Sequence, residues 1–141
     1  MRKLYGFAVL VFTGLIFYNS SLPAPDSDET SYFFVHLIAG LNAFLDKPVP
    51  LPVLNHYIRK TAHFFEFFVQ AVLLCNVFQA ARTDRKNSHG YILLLSLMTA
   101  VIDEYIQLFS PGRSGQVTDI ILDFSGGFTG WLGFQLWKWI K

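Results

Sequence analysis

Three stretches of the chain, "TAHFFEFFVQAVLLCNVFQAA" (61–81), "YILLLSLMTAVIDEYIQLF" (91–109) and "DIILDFSGGFTGWLGFQLW" (119–137), each have the length at which a helix crosses a bilayer; that length is about 20 residues. A fourth, "LYGFAVLVFTGLIFYN" (4–19), is a few residues shorter, a mismatch that local thinning of the bilayer absorbs. In hydrocarbon every backbone N–H and C=O must be satisfied within the protein, so such segments fold as helices. With 141 residues in all, the chain has room for little else. Composition agrees: only 15% of residues are charged, against roughly 25% in soluble domains. Fifteen Phe residues are more than one small core can hide. The expected fold is all-α: residues 1–141 form a single polytopic domain, a four-helix transmembrane bundle. A formal net charge of +1 excludes the strong basic excess of a nucleic-acid binder, so no nucleic-acid partner is expected. Cys75 is alone, which excludes a disulfide framework.

The first run has two readings, a retained span or a cleaved secretory signal, because Arg2 and Lys3 precede it and "SLPAP" follows it. Its aromatic residues favour the retained span. Arg2 and Lys3, then Arg82, Arg85 and Lys86 in a tight 82–90 loop, then Lys138 and Lys141 fall on one side of a four-span chain. The positive-inside rule makes that side cytoplasmic and the protein a multi-pass protein of the inner, or plasma, membrane. The 19–60 connection lies outside. Within it "SYFFVHLIAGLNAFL" (31–45) suits an interfacial helix, and "DKPVPLPVLN" breaks that helix with three closely spaced prolines.

In this topology the ionisable residues of the spans all fall in the outer half of the bilayer. Arg59, His63, Glu66 and Gln70 step by four, three and four along one helix face. Asp103 and Gln107 share a face, continued inward by Ser96 and Ala100. Asp119, Asp123, Gly126, Gly130 and Gly133 form a third stripe, which turns from acidic to small as it descends. Gly126 and Gly130 fit the GxxxG spacing of close-packed membrane helices. The arrangement implied is a bundle closed at the cytoplasmic end and open outward as a polar pocket. Asp103 and Glu104, about 100° apart on their helix, are expected to do different jobs. Asp103 should face the bundle, and Glu104 a neighbouring helix or loop, with Arg59, Lys60 or Arg113 as its partner. An Asp at a helix centre costs ~2.5–3.5 kcal/mol even on the lenient insertion scale. The acids are therefore expected to be paired, protonated or bound to a cation.

With the motifs "RKTAHFFEFF", "IDEYIQLFSPGRSGQVTDIILDFSGGFTG" and "YNSSLP", the chain resembles the VanZ-like family of small bacterial membrane proteins. The likeness covers about residues 58–131. Arg59, Lys60, His63 and Glu66 match the family's basic-His-Glu motif, with Phe67 where Tyr is usual. Asp103, Glu104 and Gln107 match Asp-Glu-x-x-Gln. Arg113 and Asp119 match the Arg and Asp that follow, Asp123 stands where Asn is common, and Gly126 and Gly130 match the trailing glycines. The family is named for a protein implicated in low-level teicoplanin resistance, so the resemblance implies a membrane protein tied to the cell envelope; it supplies no reaction.

Three functions fit these residues. The first is binding of a lipid-linked or lipophilic ligand, with membrane lipid as the surrounding partner. Here Arg59, Lys60 and Arg113 hold an anionic head, within a pocket formed with His63, Glu66, Asp103, Glu104, Gln107, Asp119 and Asp123. The second is catalysis on such a ligand, with His63, Glu66, Asp103 and Glu104 as the acid/base candidates. The third is transport, which four spans and a one-sided pocket allow only in an oligomer. No motif calls for a cofactor, although the carboxylates with His63 are of a kind that holds a divalent cation.

Overall fold

The structure is a computed structural model describing residues 1–24, 34–35, 49–82 and 84–141. Among the described residues there are four long helices and no strand: α1 (Arg2–Ser21), α2 (Leu51–Ala80), α3 (Arg85–Gln107) and α4 (Val117–Ile140). Three segments are long and apolar enough to cross a membrane, namely Arg2–Ser21, Leu51–Ala80 and Asn87–Gln107. Helix α4 matches them in length with 24 residues, but Asp119, Asp123, Gln135, Lys138 and its glycines lower its hydropathy. The interfacial helix expected over 31–45 lies outside the described residues except for helical Phe34 and Val35.

Two boundaries differ from the sequence reading. Helix α2 starts ten residues before the expected 61, because the prolines begin it instead of only ending what precedes it. Pro50 is its N-cap with φ −55° and ψ 136°, and Pro52 occupies the first turn, where a missing N–H breaks no helical bond. Thirty residues at 1.5 Å each make a helix of about 45 Å, more than the ~30 Å hydrocarbon core. The start of α2 therefore projects past the core or the whole helix tilts. At its other end Arg82 takes a left-handed φ of 54°, a common way to stop a helix. Arg85 and Lys86 then begin α3 rather than lying in an 82–90 loop.

The helices run up and down in succession. Asn19 of α1 meets Glu66 of α2, and one turn and a half further Thr13 meets Gln70. The most extensive packing joins α2 to α4. A Cβ added at Gly126 would overlap the backbone carbonyl of Phe64, and one at Gly130 that of Phe68. Gly127 is closed by Ser96 of α3, whose Cβ lies 3.0 Å from such an atom, whereas Gly133 faces open space. The small-residue seam thus ends at Gly130, one turn sooner than its sequence spacing suggests.

Polarity is inverted relative to a water-soluble bundle. Leu4, Phe7, Leu10, Phe65, Met98 and Ile121 are all exposed, while Ser20, Gln70, Ser96, Asp103, Glu104 and Asp123 are buried. Water would leave large apolar side chains inside; lipid removes that preference. Two small apolar clusters complete the interior. Ile16, Phe67 and Ala100 pack at mid-height, and Leu74, Cys75, Ile92 and Phe134 pack towards the end of α2 and the start of α3.

Candidate functional site

The last turns of α3 bring two acids into the interior at once. Asp103 is 0% exposed and Glu104 4%. Adjacent helix positions point about 100° apart, so burying both requires cover on two sides. The bundle covers Asp103, and the 110–116 loop covers Glu104. That loop passes so close that a Cβ on Gly115 would sit 2.8 Å from the Glu104 carbonyl oxygen. Gln107 joins the pair: its Nε2 donates to Asp103 Oδ2 at 3.2 Å and to Glu104 Oε1 at 2.9 Å. The Gln116 backbone N–H donates to Glu104 Oε2 at 2.7 Å. Because Gln116 is the N-cap of α4, Glu104 ties the start of α4 to the end of α3. Asp103 Oδ1, by contrast, is buried with no hydrogen-bond partner.

Helix α2 supplies the facing stripe. His63 Nδ1 lies 3.5 Å from Glu66 Oε2, and Glu66 Oε1 accepts a hydrogen bond from Asn19 Nδ2 at 3.0 Å. Deeper in the bundle, Gln70 Nε2 donates to Thr13 Oγ1 at 2.8 Å and Thr99 Oγ1 at 3.2 Å. From α4, Asp119 forms an ion pair with Lys60. Asp123, one turn down, is 1% exposed.

Arg113 follows Gly112, whose φ of 76° turns the chain at the mouth of the bundle. Its Nη2 donates to the Asn19 carbonyl at 3.1 Å, and its charge acts on His63, Glu66 and Asp103. Arg59 acts on His63 as well. The sequence reading gave Glu104 a basic partner. Glu104 turns to the loop as expected, where a backbone amide and Gln107 hydrogen-bond it and the charge of Lys60 acts on it, while Lys60 forms its ion pair with Asp119 and Arg113 donates to the end of α1. The reason is reach, since the loop brings the Gln116 N–H directly onto the carboxylate.

These groups enclose a cavity of about 150 Å³, walled by Arg59, Lys60, His63, Glu104, Gln107, Arg113, Asp119 and Asp123 together with His56, Gly112, Ser114, Gln116 and Leu122. Of the ten residues singled out in the sequence, Glu66 and Asp103 are off this wall, yet bonded or charge-coupled to residues on it. One potential ligand atom each of His63, Asp103 and Asp123 lies within 4.8 Å of the other two. Thus one residue from each of α2, α3 and α4 converges behind the cavity.

Several residues of the site carried no signal in the stripes. Asn19 and Ser20 close α1 over it: Ser110 Oγ donates to the Ser20 carbonyl at 2.9 Å, and Ala24 N–H to the Pro111 carbonyl at 3.0 Å. The polar "YNSSLP" directly after an apolar run was the available clue. Far from the site, at the other end of the bundle, Trp131 Nε1 donates to His89 Nδ1 at 3.1 Å.

The family model described as VanZ/LLP1 matches residues 5–138. No curated protein and no solved structure matches the chain.

Proposed function

Because the chain belongs to the VanZ/LLP1 family, we propose that it is a four-span protein of the bacterial cell membrane that binds the anionic head of a lipid-linked or lipophilic envelope ligand. In this reading α4 is the fourth span and α1 a retained one, since α1 contributes Thr13 and Asn19 to the interior network. Both termini and the 81–84 turn, flanked by Arg2, Lys3, Arg82, Arg85, Lys138 and Lys141, face the cytoplasm by the positive-inside rule. The cavity then opens to the outer face.

The observation that carries the reading is the cavity itself: a polar chamber with Arg59, Lys60 and Arg113 on its wall, set in a bundle whose outer surface is apolar. Guanidinium and ammonium groups recognise phosphate and carboxylate through charge-assisted hydrogen bonds. At about 150 Å³ the chamber is smaller than the ~300–1,000 Å³ of drug-sized sites. It suits a head group, leaving the hydrocarbon of the ligand in the bilayer. Occupying an envelope lipid in this way is the route by which the protein would change susceptibility to glycopeptide and lipoglycopeptide antibiotics. A second reading, an enzyme acting on the same ligand, draws support from His63 and Glu66, 3.5 Å apart beside the cavity, as an acid/base pair.

The test uses the protein in lipid nanodiscs, with a long-chain isoprenyl monophosphate and the matching alcohol as probes, read by native mass spectrometry. The monophosphate is expected to be retained and the alcohol lost. Arg59→Ala is expected to weaken retention at least tenfold, equivalent to about 1.4 kcal/mol, close to the lower end of the ~1.5–3 kcal/mol of a charged hydrogen bond. Equal retention of both probes, or no effect of Arg59→Ala, would contradict the reading. If His63→Ala retains the phosphate but abolishes a measured turnover, the enzyme reading takes its place.

A further inference from the structure

We propose that His63, Asp103 and Asp123 form a binding centre for one divalent cation of the zinc or manganese class. Each comes from a different helix, α2, α3 and α4, and one ligand atom from each lies within 4.8 Å of the others. Asp103 and Asp123 are 0% and 1% exposed. An acidic cluster on a surface would be unremarkable, but these two carboxylates are buried, and one oxygen and one ring nitrogen of the cluster lack partners. Asp103 Oδ1 and His63 Nδ1 each make no hydrogen bond, the Ser20 side chain being a neutral donor beside Asp103, and Asp123 lines the cavity. Leaving a buried acceptor unsatisfied is costly, more so for a charged group. A cation at the meeting point of the three side chains supplies the partner that Asp103 Oδ1 lacks.

The surroundings match what supports a metal ligand. Gln107 Nε2 holds Asp103 by its other oxygen, Oδ2, at 3.2 Å, which aims the free oxygen. Metal-bound His usually has a carboxylate or carbonyl at its second ring nitrogen. Glu66 lies beside the His63 ring at 3.5 Å and is itself held by Asn19. Around the centre five acids, Glu66, Asp103, Glu104, Asp119 and Asp123, meet three basic side chains, Arg59, Lys60 and Arg113, so added positive charge is favoured. One imidazole and two carboxylates make a borderline-to-hard donor set. Zinc and manganese accept it; all-oxygen magnesium and calcium sites and soft copper(I) sites differ from it. Bonds of ~2.0–2.2 Å set tetrahedral ligand atoms about 3.4 Å apart, a closing that rotation of the three side chains provides.

Three protein ligands leave a coordination position open. His63 and Asp123 also line the cavity, so the open position faces the chamber, where an anionic head would complete the coordination. That last step rests on the ligand-binding reading above; the metal centre itself does not.

The experiment is a titration of detergent-purified, EDTA-stripped protein with Zn²⁺ alone and Mn²⁺ alone, by calorimetry and by thermal melting. One cation per chain and a saturable rise in the melting midpoint are expected. His63→Ala and Asp123→Asn should each weaken binding at least tenfold. Gln107→Ala, which keeps all three ligands, should weaken it by a factor of about 10–100. His89→Ala should bind like the unsubstituted protein. Absence of saturable binding by either metal, or unchanged affinity in both His63→Ala and Asp123→Asn, overturns the proposal. The melting curve of each metal-free variant shows whether it is folded, and Asp123→Asn, nearly isosteric, provides the test should His63→Ala fail to fold. Retention of isoprenyl monophosphate by EDTA-stripped protein that binds neither metal would sink the centre alone. Metal binding without phosphate retention would sink the ligand reading alone.

Discussion

Replacing Gly126 by Val is expected to abolish accumulation of folded protein in the membrane, whereas Gly133→Ala is expected to be harmless. At Gly126 even a Cβ would overlap the Phe64 backbone carbonyl. The obstruction is main chain in the middle of α2, so no side-chain rotation relieves it and the helices must separate. Overpacking a core typically costs ~1–3 kcal/mol when side chains can give way. Here the cost is expected to exceed ~3 kcal/mol, a large share of a total stability of ~5–15 kcal/mol. Separation would also carry Asp123 away from His63, so function is lost along with the fold. At Gly133 nothing lies within 4 Å of an added Cβ, and Ala is the better helix former by ~1 kcal/mol. Membrane levels and detergent melting midpoints of the two variants provide the check. Similar behaviour of the two would contradict the close α2–α4 contact.

Arg113→Ala is expected to be the most damaging loss of a basic residue. The guanidinium donates to the Asn19 carbonyl, and Asn19 in turn donates to Glu66, so one side chain connects the mouth loop, α1 and α2. Its charge also acts on Glu66 and Asp103. A hydrogen bond from a charged group contributes ~1.5–3 kcal/mol. Arg113 is only partly buried, so a loss of about 1.5 kcal/mol, the lower end, is expected in the melting experiment. Arg113→Lys should recover part of it, since an ammonium keeps the charge but not the planar fork. Arg113→Ala combined with Glu66→Gln should be less damaging than the sum of the two, because the stranded charge is then gone. Strict additivity would show that Arg113 and Glu66 do not interact. Arg2→Ala, at the opposite end of α1, serves as the control and should change little.

The features readable in advance were those that depend on spacing within one helix. Apolar length identified the long helices, and the steps from His63 to Glu66 and from Asp119 to Asp123 placed those residues on inward faces. The GxxxG pair announced the α2–α4 contact. What spacing could not reveal were contacts made by loops and helix ends. The partner of Glu104 is a main-chain N–H that becomes available only when the 110–116 loop folds back. Any residue at 116 other than Pro would present that donor, so its identity carries no signal. The roles of Asn19 and Ser110 likewise depend on where α1 ends against the loop. Gly133 continued the glycine stripe in sequence, but an added Cβ there meets nothing within 4 Å. The start of α2 was hidden because Pro50 and Pro52 break a helix from one direction and begin one from the other.

The central proposal is a polar pocket opening to the outer face, and adjacent positions on α4 test it most directly. Leu122 lines the cavity, while Ile121, at almost the same depth, is 63% exposed on the apolar outer surface. In a Cys75→Ser background, Leu122→Cys and Ile121→Cys would be exposed in intact cells to a small, membrane-impermeant thiol reagent. The account predicts that position 122 is modified from outside and that position 121, facing lipid, is not. Modification of 122 only after the cytoplasmic face is opened, equal modification of both, or modification of neither would contradict it.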